Sequence, residues 1–249
     1  MRGRVCVSTV TWARDENEGR LLRRSLLELT RSGLAIVVAD KGSGAAFRDF
    51  LESHGQFTVV PPGGPSLVGQ VQASLAAAAA TGADFILYTE SDKELFFREA
   101  LPDFLERADL HPRAGAVLAA RSDAGFSTFP PLQRFTERTI NELCGEFIGT
   151  PGDYSYGPFL LNRDLVPRVA DVPSDAGWGW RHYMFASAAR LGYAVSHIAG
   201  DYACPPDQRQ EDDGERLHRV RQLQQNIQGL LLAITAAPKA NDSKDANVH

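Results

Sequence analysis

Short apolar segments alternate with segments of helical spacing through residues 4–92. The predicted strands lie at 4–10, 34–39, 57–60 and 85–88. Between them apolar residues recur every three or four positions, and this spacing is shown by Leu67, Val71, Leu75 and Ala78. Such alternation favours right-handed βαβ units, so we expect an α/β fold with a mixed, mostly parallel sheet flanked by helices.

The second half of the chain is less regular, but it continues the same pattern. Further strands are predicted at 115–120, 154–161 and 193–198, and helices at 96–107 (with a break or restart at Pro102) and 180–191. Between them a loop is predicted at 126–131, followed by a helix through Ile140, Leu143 and Phe147. The last helix carries one apolar face, formed by Leu217, Val220, Leu223, Ile227, Leu230 and Ile234. We expect this face to pack on its own domain, and a homodimer seam is the alternative.

No linker divides the chain, so we expect a single domain over residues 1–236 that ends in the C-terminal helix. Residues 237–249 are polar and are predicted to be a disordered tail. The net charge is -5, so nucleic acid is not expected as a partner.

Cellular location is predicted from the cysteines and from the absence of targeting signals. Cys6, Cys144 and Cys204 lie far apart, without the spacing of a disulfide framework or a zinc site. No signal peptide and no membrane span is expected, so we predict a cytoplasmic protein.

Two carboxylates follow the predicted strand at 85–88. Glu90 and Asp92 have i, i+2 spacing, and ligands of open α/β sheets bind beyond the carboxyl ends of the strands. Two hard oxygen ligands there suit Mn²⁺ or Mg²⁺ holding a substrate diphosphate. The alternative is a polar loop whose acids cap a helix that starts near Lys93.

Three stretches in this order resemble the GT-A nucleotide-sugar glycosyltransferases over roughly residues 4–200. Residues 37–44 (VVADKGSG) resemble the segment after the second strand, and residues 84–92 resemble the strand that runs into the DxD motif. Residues 174–181 (SDAGWGWR), followed by a helix and Leu191-Gly192-Tyr193, resemble the acceptor loop and helix. This last stretch is most similar to the glucosylglycerate and mannosylglycerate type synthases.

The resemblance implies a Rossmann-like GT-A fold and a metal-dependent glycosyltransferase. Its nucleotide-binding part would span about 1–110 and its acceptor part about 111–236. It also implies a UDP- or GDP-sugar donor, a small-molecule or glycan acceptor, and Mn²⁺ or Mg²⁺ as the cofactor.

The nucleotide-binding residues implied by the resemblance lie at the ends of the first strands. They are Thr9, Thr11, Trp12, Asp40, Gln70 and Ser91. Asp40 would accept hydrogen bonds from the base or the ribose, and its alternative role is an Asx turn with Gly42. Trp12 would stack on the base or, alternatively, pack on the surface, and Gln70 would reach ribose or phosphate or remain solvated. Lys93 and Arg98 are not assigned a role.

The acceptor side is predicted from the loop before residue 180. Asp175 is the candidate general base of an inverting reaction, and its alternative role is to cap the helix at Trp180. Arg181 and His182 would bind an acidic group of the acceptor, while Trp178 and Tyr156 would line its pocket.

Two departures from the GT-A pattern keep other functions open. Glu90 stands where the motif has Asp, and no His follows the last strand, where Asp201 or Asp207 are the candidates to replace it. The alternatives are a nucleotidyltransferase acting on a sugar phosphate and a catalytically degenerate GT-A-fold binding protein.

Overall fold

A computed structural model describes residues 4–236, which form seven strands and eight α-helices. The strands are β1 Val5–Thr11, β2 Ile36–Asp40, β3 Phe57–Val60, β4 Phe85–Tyr88, β5 Ala114–Arg121, β6 Phe159–Asn162 and β7 Ala194–Gly200. The helices are α1 Glu16–Thr30, α2 Ala45–Ser53, α3 Leu67–Ala80, α4 Leu101–Arg107, α5 Asp123–Ser127, α6 Pro131–Ile148, α7 Gly179–Arg190 and α8 Asp213–Thr235. The predicted tail at 237–249 lies outside the described residues.

The strands form one sheet in the order β3-β2-β1-β4-β6-β5-β7. β6 runs antiparallel to both of its neighbours, β4 and β5, while every other pairing is parallel. The predicted mixed, mostly parallel sheet is therefore confirmed. Because β6 runs the opposite way, the segment 153–158 that precedes it arrives at the edge where the parallel strands end.

Helices cover both faces of the sheet. One core layer contains buried residues of α3, α6, α7 and α8, and the other contains those of α1, α2 and α4. The predicted helix at 96–107 is not interrupted at Pro102: residues Phe96–Ala100 form a π-helical turn that runs directly into α4, which has Pro102 in its first turn. The loop expected after Phe126 is shortened by α5, which begins at a Ser122 cap.

The C-terminal helix packs on its own domain along its second half only. Leu230 is buried and Leu223, Ile227 and Ile234 pack against the core, whereas Leu217 and Val220 are about half exposed. Among residues 4–236, no helix has the length and apolar character that crossing a membrane would need. The three cysteines are buried and unbridged.

α7 and α8 meet at a pair of glycines. A Cβ on Gly229 would overlap the carbonyl group of Gly179, and a Cβ on Gly179 would overlap the carbonyl of Gln225. The Gln225 side chain also accepts a 3.2 Å hydrogen bond from the backbone nitrogen of Trp178. The start of α7 is therefore held in place by α8 through backbone contact, which glycine alone permits.

We expect Gly229→Leu to destabilise the fold by about 1–3 kcal/mol or more, because the new side chain must push the two helices apart. For a chain of this size that loss corresponds to about 2–4 °C in Tm per kcal/mol. Thermal unfolding followed by circular dichroism measures it. Gln224→Ala, at an exposed position of α8, is the control and should leave Tm nearly unchanged. An unchanged Tm for Gly229→Leu would contradict this contact.

Candidate active site

The carboxyl ends of β1 and β2 are tied together by Asp40. One of its carboxylate oxygens accepts hydrogen bonds from the hydroxyls of Thr11 (2.8 Å) and Ser43 (2.6 Å). The other accepts from the backbone nitrogens of Gly42 (3.0 Å) and Ser43 (2.8 Å). This is the Asx turn considered as the alternative role, and it leaves Asp40 buried with both oxygens engaged.

Thr9 and Ser91 join the end of β4 to β1 through side-chain bonds. The Thr9 hydroxyl donates to the carbonyl of Thr89 (2.8 Å), and the Ser91 hydroxyl donates to the carbonyl of Val10 (2.9 Å). Thr9 is completely buried, so its side chain is not exposed to a nucleotide. Both residues shape the site by fixing the backbone that leads to Asp92.

A cavity of about 550 Å³ opens beside this edge, between α1, the segment after β4 and the segment after β7. Its lining includes Trp12, Asp92, Lys93, Tyr156 and Asp207. Trp12 is 47% exposed, with the ammonium of Lys41 4.3 Å from its ring centroid. The volume falls in the usual range for small-molecule sites, and an aromatic face and a carboxylate are present together.

Gln70 does not line this cavity. It is buried in α3, and the cavity is lined by α1, which covers the opposite face of the sheet. Burial of the amide side chain corrects the alternative of a solvated helix residue. Contact with ribose or phosphate stays a prediction for Gln70.

The two acids of the predicted metal motif lie in different environments. Asp92 is exposed in the cavity. Glu90 points inward and accepts a 2.7 Å charge-assisted hydrogen bond from the Arg181 guanidinium at the start of α7. The side chains of Arg181 and Glu90 are only 3% and 15% exposed. Arg181, predicted to bind the acceptor, is thus paired with Glu90, predicted to bind the metal.

The residues present fit a metal held by one carboxylate better than a metal held by a cluster. Within the described part of the chain, no three His, Cys, Asp or Glu side chains come together as a metal site. Mg²⁺ often binds proteins through one or two carboxylates and takes its remaining ligands from substrate phosphates and water. Asp92 can serve in that way, and Asp207 lines the same cavity. Asp201 instead accepts a hydrogen bond from Ser122.

Tyr156, predicted to line the acceptor pocket, lies in the same cavity as Trp12 and Asp92. Its ring stacks on Tyr202 with centroids 4.9 Å apart, and the ammonium of Lys93 lies 5.1 Å from its centroid. Burial raises the pKa of Tyr156, so the phenol stays protonated. Lys93, which was not assigned a role from the sequence, lines the same cavity and offers a cation there.

Asp175 and Trp178 lie elsewhere. Asp175 is exposed and lines a separate cavity of about 470 Å³ beside α8, together with Arg221 and Gln228. α7 begins after Trp178 without a side-chain cap, so Asp175 does not cap the helix either. Trp178 is half-buried, with the Arg181 guanidinium 5.1 Å from its ring centroid. A role for Asp175 as the general base stays a prediction.

His182 does not reach any ligand surface. It is completely buried beside Phe185, and burial, reinforced by the charge of Arg181, lowers the pKa of His182 to about 3. A neutral, enclosed imidazole cannot bind an acidic acceptor group, so that prediction is corrected. Its neighbour Arg181 faces Glu90, whereas the next helical position turns into the core.

A second buried arginine supports the edge from the other side. Arg121, at the end of β5, forms ion pairs with Asp153 (2.6 Å) and Glu137 (2.7 Å). Its guanidinium lies about 4.5 Å from the ring centroids of Phe126 and Phe129. Sequence reasoning missed this cluster, although a charged residue that ends a fully apolar strand was a signal available in the sequence.

The energetic cost of burying the Asp153 carboxylate is offset by the positive charge of Arg121. Burial alone would raise the pKa of Asp153, but Arg121 and backbone hydrogen bonds outweigh it and hold the pKa below its ordinary value. The ionised carboxylate also accepts bonds from Asn141 (3.1 Å) and the backbone of Ser155 (3.0 Å). This network fixes the start of segment 153–158, which carries Tyr156 and Gly157 toward β4.

Solved structures with the same fold are nucleotide-sugar glycosyltransferases of the GT-A type. A glucosyl-3-phosphoglycerate synthase from Mycobacterium tuberculosis, in complex with Mn²⁺, uridine diphosphate and phosphoglyceric acid, superimposes with a TM-score of 0.61. That match has 15% identity and covers 96% of this chain and 80% of the other. The same enzyme with Mn²⁺, UDP-glucose and phosphoglyceric acid gives a TM-score of 0.64.

A mannosyl-3-phosphoglycerate synthase from Rubrobacter xylanophilus also matches, with a TM-score of 0.58, 14% identity, and coverage of 96% of this chain and 78% of that one. No protein-family model and no curated protein sequence matches the chain. The chain therefore has the GT-A fold, as the resemblance implied. The narrower likeness to glycerate-glycosylating synthases agrees with these neighbours.

We expect His182→Leu to flatten the acid dependence of stability. The folded pKa is about 3 against an ordinary 6.5, so the unfolded chain takes up a proton as the pH falls below 6.5. The free energy of unfolding therefore keeps its full contribution from neutral His182 above pH 6.5. Between pH 6.5 and pH 3 it falls by up to about 1.4 kcal/mol per pH unit. Urea unfolding at pH 7 and pH 5 measures this slope.

The wild type should lose about 2 kcal/mol more between these pH values than the variant does. His111→Leu, at an exposed position, should keep the wild-type slope. Equal slopes for His182→Leu and the wild type would show that the imidazole is already accessible to protons in the folded protein.

Proposed function

We propose that this chain is a metal-dependent glycosyltransferase. It takes a sugar from a nucleotide-sugar donor and transfers it to a small acceptor that carries an acidic group. The observation that carries the proposal is the place of Asp92: directly after β4, at the carboxyl edge of a GT-A sheet, in a cavity of about 550 Å³. Ligands of open α/β sheets bind at this edge.

The donor is assigned to the cavity beside Asp92. The exposed ring of Trp12 offers a flat surface for the base, and Lys93 offers a cation for a phosphate. Asp92 would hold Mn²⁺ or Mg²⁺ with the donor diphosphate, and the bound ion would stabilise the charge of the leaving nucleotide. A UDP-sugar is favoured over a GDP-sugar because the neighbouring structures contain uridine diphosphate.

The class of acceptor is inferred from the positive charge of Arg181. The neighbours bind phosphoglyceric acid, and this chain directs the buried guanidinium of Arg181 toward the end of β4. Guanidinium is the side chain best suited to a carboxylate or phosphate. An acidic acceptor, with 3-phosphoglycerate as the first compound to test, is therefore the substrate class we propose. A homodimer and a cytoplasmic location stay predictions.

A catalytically degenerate binding protein is the second candidate. It is favoured by one observation: Glu90, the first acid of the motif, is occupied by Arg181. Such a protein would bind a nucleoside diphosphate without transferring sugar. A nucleotidyltransferase would instead release pyrophosphate from a nucleoside triphosphate and a sugar phosphate, so assaying pyrophosphate separates it from the other two.

We expect calorimetry to show that the wild type binds UDP, or GDP, more tightly with Mn²⁺ than without it. Asp92→Asn should weaken the Mn²⁺-dependent binding by about tenfold or more, a loss of about 1.4 kcal/mol, because the amide removes the charge of the only motif carboxylate in the cavity. Asp164→Asn is the control, since its side chain is 65% exposed and follows β6 at the opposite edge. A folded wild type that binds neither nucleotide would reject the glycosyltransferase proposal.

A further inference from the structure

The contact between Glu90 and Arg181 joins residues that lie 91 positions apart, one after β4 and one in the first turn of α7. It is nearly dry, with side-chain exposures of 15% and 3%. Burying two charges costs several kcal/mol each, and good geometry with further hydrogen bonds is needed to offset that cost. A pair retained only for stability would therefore be fully hydrogen-bonded.

This pair is not fully hydrogen-bonded. One Arg181 nitrogen, Nη1, meets one Glu90 oxygen, Oε1, while Nε of Arg181 and Oε2 of Glu90 are buried without a partner in the described structure. The hydroxyl of Tyr88 and the indole nitrogen of Trp180 are also buried and unpartnered. These two rings touch edge to face, with centroids 4.6 Å apart. Unsatisfied buried polar groups are rare in native proteins and concentrate at functional sites.

Glu90 is enclosed on its remaining side by backbone. Gly157, at φ +129°, lies so close that a Cβ there would overlap the free oxygen Oε2 of Glu90. The carboxylate is thus held between Gly157 and Arg181, whereas Asp92 faces the open cavity. The two acids do not converge on one point, and an ion held by Asp92 does not need Glu90.

We propose that Glu90 is a positioning residue for Arg181 and not a ligand of the divalent cation. Glu90 fixes the direction of the guanidinium, whose Nη2 then meets the acidic group of the acceptor. Glu90, which lies in the nucleotide-binding half of the chain, thereby sets the acceptor specificity through Arg181 in α7. This inference rests on the proposed function for the acceptor, but the ion pair and the metal ligand set are tested independently of it.

The first experiment separates the two acids by metal binding. Electron paramagnetic resonance of Mn²⁺, titrated with protein in the presence of UDP, is compared for the wild type, Glu90→Gln and Asp92→Asn. We expect Glu90→Gln to keep the wild-type Mn²⁺ affinity within about twofold and Asp92→Asn to lose about tenfold or more. An equal loss in both variants would make Glu90 a metal ligand and overturn the inference.

The second experiment tests what Glu90 does for Arg181. Calorimetry with 3-phosphoglycerate, on protein already loaded with UDP and Mn²⁺, should show about tenfold weaker binding for Glu90→Gln and for Arg181→Gln, with UDP affinity unchanged. A merely structural role would weaken both ligands together. Weakened UDP binding in Glu90→Gln, or unchanged 3-phosphoglycerate binding, contradicts the inference, as does a wild type that binds UDP and Mn²⁺ but no 3-phosphoglycerate.

A third measurement keeps the pair testable if the donor proposal fails. Tm is measured for Glu90→Gln, Arg181→Gln and the double variant, with Asp164→Asn as the control. For a coupled pair the double variant should lose less Tm than the sum of the two single losses, because the second change removes no further contact. Additive losses would mean that the two side chains do not interact. A wild type that binds neither UDP nor GDP rejects the proposed function, while this double-mutant cycle still decides whether Glu90 and Arg181 interact.

Discussion

The site depends on β4 pairing in two directions at once. β4 lies parallel to β1 on one side and antiparallel to β6 on the other. The parallel neighbour brings the ends of β1 and β2, with Trp12 and the Asp40 turn, to the edge where Asp92 follows β4. The antiparallel neighbour delivers the backbone of 153–158 to the same edge from the opposite direction. A fully parallel sheet would leave the two halves of the chain without this meeting point.

The fold was largely predictable because it is determined by burial. The apolar runs at 36–40 and 85–88 are buried on both sides, so composition alone indicates strands, and the helical stripes between them force crossover connections. β6 was the harder strand. The apolar and aromatic residues of 154–161 predicted a longer strand. Tyr154 and Ser155 instead donate hydrogen bonds to the side chains of Asn141 and Asp153, and the strand begins only at Phe159.

The candidate site was predictable in its place and less so in its bonding. The spacing of Glu90 and Asp92 indicates that both follow β4, but it does not show that a residue 91 positions away occupies one of them. The spacing around Asp40 likewise does not show its bonding, because the carboxylate accepts hydrogen bonds from the backbone of Gly42 and Ser43 in its own turn. The prediction that His182 binds the acceptor was wrong for a different reason. Both faces of α7 are buried, so adjacent positions of this helix do not alternate between core and solvent. These contacts arise from tertiary packing, which spacing along the chain does not encode.

Comparison of the two buried arginines shows which one is structural. Arg121 is paired with two carboxylates, lies against aromatic rings and is bonded to Asp153 at two nitrogens. Because each guanidinium nitrogen of Arg121 faces a carboxylate oxygen, these contacts hold the side chain in one conformation. Arg181 has a single bonded nitrogen and lies against one half-buried ring. Because an under-satisfied buried cation costs stability, it persists only where something else selects for it, and an anionic substrate that completes its hydrogen bonds meets that condition. The same fold thus contains one arginine that fixes the edge of the sheet and another that we propose completes its hydrogen bonds with a ligand.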